Sequence, residues 1–126
     1  MVRFLVTGAG GQLGTDLGAV LPDAVGMTRA QLSIADRESV RKAVEGFDVV
    51  LNCAADNAVD AAEAHPEAAF AVNAEGAGNV AWACGLAGAR LVHFSTNYVF
   101  DGCRDEPYGE DDLPSPRSSP TAYQRL

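Results

Sequence analysis

The run VRFLVTGAGGQLG, residues 2–14, decides the fold. Its first half, Val2–Thr7, is a short apolar stretch rich in β-formers. Its second half places Gly8, Gly11 and Gly14 directly afterwards. Leu13, Leu17, Val20 and Leu21 then follow at helical spacing, so the reading is strand, glycine turn, helix. Glycine is needed where backbone must turn tightly or approach another group closely, because it has no Cβ. A helix N-terminus behind such a turn directs N–H groups at whatever anion sits there. In this context the glycines predict a cradle for the pyrophosphate of a dinucleotide.

The rest of the chain repeats the alternation. DAVGM (23–27) reads as a weak second strand. DRESVRKAVEGF (36–47) reads as a helix with Asp36 as N-cap, Glu38 in its first turn and Gly46 at its end. DVVLNCA (48–54) is a continuous apolar run, as a strand buried on both faces requires. Residues 58–87 are alanine-rich and helical, with a restart at Pro66 and a break expected near Gly76–Gly78. Asp60 and Glu63 suit a helix's first turn. ARLVHFST (89–96) is the fourth strand, with His93 expected to be a satisfied core histidine and His65 a loop residue. The pattern predicts an α/β, Rossmann-type doubly wound parallel sheet of about four strands, ordered 3-2-1-4, over residues 1–100. Residues 101–126 are acidic and proline-rich and read as a loop or tail, open to disorder, at the carboxyl edge of the sheet. No rigid ligand spacing among its acids suggests a metal site.

The chain has 126 residues and a formal charge of −8, which argues against nucleic acid or an anionic membrane as partner. No apolar run is long enough to span a bilayer, and the N-terminus reads as a strand and not a signal peptide. Cys53, Cys84 and Cys103 are odd in number with no CxxC pair, which predicts reduced thiols and a cytoplasmic protein.

The glycine spacing is GxxGxxG, which resembles the short-chain dehydrogenase/reductase superfamily, in particular its extended, sugar-nucleotide branch. The acid expected after the second strand, which would bind the adenosine ribose, is absent. GMTRAQ (26–31) stands there instead, and Arg29 can pair with a 2′-phosphate. NADP(H) is therefore expected over NAD(H), which remains the alternative. Small residues Ala54 and Ala55 at the end of the third strand leave room for a cofactor or serve close packing.

Ketone reduction by a nicotinamide needs a hydride and a proton for the forming alkoxide. A Tyr supplies the proton when a nearby ammonium lowers its pKa, and a Ser or Thr hydroxyl orients the carbonyl. FLVTGAGGQLG, VVLNCAADNAVDAAEAHPEAAFAVNAEGAGNVA, GARLVHFSTNYVFDG and PYGEDD together resemble the dTDP-4-dehydrorhamnose reductase family over residues 1–118. By that resemblance Thr96 is the catalytic hydroxyl, and Gly8, Gly11, Gln12, Leu13 and Gly14 form the pyrophosphate loop. Ala54 and Ala55 flank the cofactor, and Tyr98 lies near a nucleotide-sugar substrate. The resemblance implies NADPH-dependent reduction of dTDP-4-dehydro-6-deoxy-L-mannose to dTDP-L-rhamnose.

The sequence departs from the family at Asn97, where STDYVFDG becomes STNYVFDG. It departs again at Ser33 in LSIAD and in AADNAVD (54–60). Tyr123 is the candidate proton donor, but it falls later than the family spacing, and a YxxxK lysine would lie beyond Leu126. A frame slip near Ser118, a shortened chain and a naturally short protein all fit that ending; in the first, Tyr123 is not the family's tyrosine. The chain alone is expected to be inactive. An exposed edge on the fourth strand would favour self-association. A second reading is a non-catalytic NADP-binding module similar to the reductase-like regulatory subunit of methionine adenosyltransferase. A third, an epimerase or dehydratase, fits LVHFSTNYVFDG less well.

Overall fold

The computed structural model describes residues 1–116. Four parallel strands form one sheet: β1 (Phe4–Thr7), β2 (Val25–Met27), β3 (Val49–Asn52) and β4 (Arg90–His93). Between them run α1 (Gln12–Val20), α2 (Arg37–Val44), and a long helical stretch from α3 (Val59–Ala64) through α4 (Pro66–Phe70) to α5 (Ala77–Ala87). Pro66 opens α4 at a position where its missing N–H costs nothing. The break expected near Gly76–Gly78 is no break: Ala71–Gly76 widens into a π-helical turn and the helix continues. It ends at Gly88, whose φ of 69° is the left-handed cap that glycine adopts freely.

The strand order is 2-1-3-4, which corrects the expected 3-2-1-4. Burial gives the reason. Val50, Leu51 and Asn52 are all buried, so β3 needs a neighbour on each side and takes an inner place between β1 and β4. β2 carries exposed Val25 and Gly26 and suits an edge. The segment after β2, which would have to extend the sheet further, turns inward instead. Leu32 and Ile34 enter the core, and Asn79 of α5 donates to the Ile34 carbonyl at 2.9 Å.

Two layers of helix follow from the crossovers. Moving from β1 to β2 and then back across to β3 with right-handed connections puts α1 on one face and α2 with α5 on the other. Leu5 and Val50, paired in register, face α2 and α5 with Val40, Val44, Val80, Ala83 and Cys84. Each fully buried Val or Leu there contributes about 1.5–3 kcal/mol of transfer free energy. Val6 and Leu51, one residue on, point to the opposite face, as the two-residue period demands. Asp36 caps α2 as expected, accepting from the Ser39 N–H at 3.1 Å and the Ser39 hydroxyl at 2.9 Å. These bonds hold its carboxyl below the ordinary range.

Candidate functional site

β1 ends at buried Thr7, and the chain must then leave the sheet in the space between β1 and β3. Gly8 does this with a φ of 65°, and a Cβ there would lie 2.6 Å from the Ala54 nitrogen. Gly14 is equally constrained: its Cβ would lie 2.3 Å from the Gly8 carbonyl oxygen. These two glycines press the loop against β3 and α1 against the loop. Gly11 differs, since a Cβ there would meet only the Gly8 oxygen at 3.4 Å, an ordinary contact. Protein packing does not demand glycine at that position; an open face for a close-lying ligand does.

The loop is braced from within. Gly11 N–H donates to the Gly8 carbonyl at 3.0 Å, Ala9 N–H to the Met27 carbonyl at 3.0 Å, and the Thr15 hydroxyl to the Gly11 carbonyl at 2.7 Å. α1 therefore starts in a fixed place. Gly11 offers no side-chain cap, and the first turn carries no acid. The first N–H groups of a helix lack intrahelical acceptors and carry partial positive charge, which suits a pyrophosphate.

A cleft of about 920 Å³ opens over this loop. Its floor is the carboxyl ends of the strands: Gly8 and Gly11 after β1, Thr28 and Arg29 after β2, Ala54 and Ala55 after β3, Phe94 and Ser95 after β4. β1 connects towards one edge of the sheet and β3 towards the other, so the cleft lies at the switch point where such folds bind ligands. Arg29 is the one cation lining it among the described residues; the carboxylates Asp16 and Asp56 line it too, and neither forms an ion pair with Arg29. No carboxylate stands in the turn after β2, Thr28–Gln31.

The far wall is fixed by Asn73 in the π-helical turn. This buried amide accepts from the Asp56 N–H at 2.8 Å and donates to the Asp56 carbonyl at 3.0 Å. It thus holds the backbone just beyond Ala54–Ala55. Cys53 also lines the cleft, and burial pushes its thiol pKa up. At the floor of the cleft, which Asn52 lines, Thr7 donates to Asn52 Oδ1 at 2.6 Å, and Asn52 Nδ2 lies 3.1 Å from His93 Nδ1. These three residues are in register across β1, β3 and β4.

Of the residues expected from the sequence, Gly8, Gly11, Gln12, Leu13, Arg29, Ala54 and Ala55 meet at the cleft. Gly14 is buried beneath it and acts by packing. Thr96 and Tyr98 do not line the cleft, although Ser95 does. Thr96 caps the 3₁₀ turn Asn97–Val99, its hydroxyl accepting from the Tyr98 N–H at 3.3 Å, and the Tyr98 side chain is exposed. Tyr123 lies outside the described residues. His93 is exposed and bonded to Asn52, not a core histidine. Sequence reasoning missed Asn52 and Asn73. The available signal was a polar residue at the end of a buried strand and an amide within an alanine-rich helical stretch.

The loop after β4 is better ordered than its composition suggests. The Phe100 and Tyr108 rings stack at 4.3 Å, and the Tyr108 hydroxyl donates to Asp101 at 2.6 Å. That carboxylate pushes the phenol pKa up. Arg104 lies over the Tyr108 ring and pairs with Asp112 at 2.7 Å, while Asp112 also accepts from the Gly109 N–H. Asp101 and Asp112 thus serve the loop's own fold, and no group of three metal-ligating side chains gathers among the described residues.

Comparison with known proteins identifies the family. Residues 2–122 match the family model described as the RmlD substrate binding domain. A dTDP-4-dehydrorhamnose reductase of Mycolicibacterium smegmatis is 47% identical over 119 residues, covering 90% of this chain and 36% of the relative. The structure of a dTDP-4-dehydrorhamnose reductase of Bacillus anthracis in complex with NADP superposes with a TM-score of 0.93 at 38% identity, covering 99% of this chain and 47% of that one. A UDP-glucose 4-epimerase of Thermus thermophilus in complex with NAD superposes at 0.86 with 25% identity, covering 98% and 47%. The chain spans less than half the length of these relatives. A match that runs through the glycine loop, the cleft and the segment after β4 places the chain in the RmlD substrate binding domain family.

Proposed function

We propose that this chain is the cofactor-binding part of an NADP(H)-dependent reductase that converts dTDP-4-dehydro-6-deoxy-L-mannose to dTDP-L-rhamnose. Residues 1–100 would form the dinucleotide-binding half, and residues 101–126 would lead on to the substrate-binding part. The observation that carries the reading is the glycine cradle: Gly8 and Gly14 are dictated by packing, and Gly11 is left open to the cleft. The named relatives support the choice of reaction.

In this reading Gly11, Gln12 and Leu13 hold the pyrophosphate, Ala54 and Ala55 leave room for the adenosine side, and Arg29 faces its 2′-phosphate. A bound nicotinamide supplies the hydride. The Thr96 hydroxyl accepts the Tyr98 N–H, which leaves its own proton free to donate to a carbonyl oxygen. It would orient the C4 carbonyl of the sugar, with Tyr98 on the substrate side. Tyr123 is the candidate proton donor. Lys42 is the one lysine of the sequence and sits in the last turn of α2.

The 126-residue chain alone should bind NADPH and not turn over the ketosugar. Titration of the purified chain with NADPH, followed by assay with the nucleotide sugar, tests both statements. Failure to bind any nicotinamide dinucleotide would refute the first, and turnover would refute the second.

Asn97, standing where the family carries an acid, favours a second reading, a non-catalytic NADP-binding module that acts through a protein partner. Constant NADPH affinity with no turnover in any complex would favour it. Either form is proposed to work in the cytoplasm, without nucleic acid. The exposed edge of β4, with Val92 and Phe94 uncovered, would serve self-association.

A further inference from the structure

The segment Thr28-Arg29-Ala30-Gln31 closes β2 with a reciprocal clamp. Thr28 N–H donates to Gln31 Oε1 at 2.9 Å, and the Thr28 hydroxyl donates to the same oxygen at 3.1 Å. In return the Gln31 N–H donates to the Thr28 carbonyl at 3.0 Å, and Leu32 N–H does so at 2.9 Å. Leu32 is buried and anchors the far end of the turn. Thr28, Arg29 and Ala30 line the cleft, whereas Gln31 stands behind them. Its side chain therefore acts on the cleft only through the turn it holds.

Few side chains can do this. The acceptor must reach back three residues to a main-chain N–H, which suits Gln or Glu at that position. Glu would make the stronger bonds, since its oxygen is charged. It would also put a carboxylate two residues from Arg29, which makes no ion pair among the described residues. Gln makes the same bonds and leaves the guanidinium unneutralised.

We propose that Gln31 sets phosphate selectivity at this end of the cleft. It holds the Thr28–Arg29 turn as a neutral acceptor, so that Arg29 keeps its full charge for a phosphate monoester on the dinucleotide's ribose. Gln31 is a positioning residue in this scheme, and the scheme rests on the dinucleotide reading above.

Calorimetric titration of the full chain with NADPH and with NADH tests it, using wild type, Gln31→Glu and Gln31→Ala. Wild type should prefer NADPH. Gln31→Glu keeps the clamp but places a like charge within a Debye length of the phosphate; it should weaken NADPH about tenfold and leave NADH within about twofold. Gln31→Ala releases the turn, and the preference for NADPH should fall while the thermal midpoint moves little, because the lost bonds are exposed. A Gln31→Glu variant that weakens both cofactors equally, or neither, overturns the role of Gln31 while wild-type NADPH binding still upholds the cofactor reading. A wild type that prefers NADH also overturns it. A wild type that binds neither dinucleotide overturns both.

Discussion

Replacing Gly14 by Ala should separate the demands of the loop from those of the helix. α1 carries a second glycine, Gly18, with nothing within 4 Å of where its Cβ would stand. An Ala in a helix interior is favoured over Gly by about 1 kcal/mol, so both substitutions start with the same gain. At Gly18 nothing opposes it. At Gly14 the new Cβ meets the Gly8 oxygen at 2.3 Å, the Ala9 Cα at 2.7 Å and the Gly8 carbonyl carbon at 2.9 Å. All three are backbone atoms that cannot swing aside. Reaching an ordinary contact of 3.4 Å requires α1 to retreat by about 1 Å. Overpacking of this kind costs about 1–3 kcal/mol, and here the neighbours are rigid, so the upper end applies. The net is a loss of about 2 kcal/mol for Gly14→Ala against a gain of about 1 kcal/mol for Gly18→Ala. Taking about 4 °C per kcal/mol for a chain of this size, thermal midpoints should fall by about 8 °C and rise by about 4 °C. NADPH affinity should drop at least about tenfold for Gly14→Ala, since the helix N-terminus moves away from the pyrophosphate, and stay unchanged for Gly18→Ala. Scanning calorimetry and titration read both. A Gly14→Ala protein as stable and as tight-binding as Gly18→Ala would refute the packing account of the loop.

Asn73→Ala leaves the Asp56 N–H and carbonyl without their partners at a part-buried position, and should cost about 1–3 kcal/mol in urea unfolding. The Asp56 amide should exchange faster with solvent in the folded variant. Asp36 accepts two bonds that are stronger to its carboxylate than to the neutral acid, so its folded pKa lies below its unfolded one. It contributes stability at neutral pH that is lost as pH falls through the lowered value, and Asp36→Ala should flatten the acid limb of a stability–pH curve. Burial raises the Cys53 thiol pKa, whereas Cys103 is exposed, so iodoacetamide at mildly alkaline pH should modify Cys103 first. Bound NADPH should slow modification of Cys53, which lines the cleft, and leave Cys103 unaffected. Peptide mass mapping reads both sites.

Most of the sheet and the phosphate loop was legible in the sequence because each rests on a short-range signal. The glycines of 8–14 follow a strand and precede a helix, and the apolar run of 48–54 is long enough to declare burial on both faces. Strand order was not legible. It depends on whether LSIAD extends the sheet or turns inward, and that was settled by the fit of Ile34 against Gly76, where a Cβ would stand 2.7 Å away. The π-helical turn was hidden for a similar reason: Asn73 reads as a polar interruption until the Asp56 backbone is brought beside it. Composition misled most after β4. The acids at 101 and 112 suggest a solvated, open segment, yet they are the acceptors that fold it, for Tyr108 and for Arg104 with Gly109. Arg29 was found by the absence of an acid after β2, whereas Gln31 gains meaning only from its bonds to Thr28.

Amide hydrogen exchange on the chain with and without NADPH reads binding and its location together. Exchange should slow at Gly11–Gly14, Thr28–Ala30 and Cys53–Asp56, with little change in the loop around Tyr108. Protection spread elsewhere, or none at saturating NADPH, would contradict the assignment of this cleft to the cofactor.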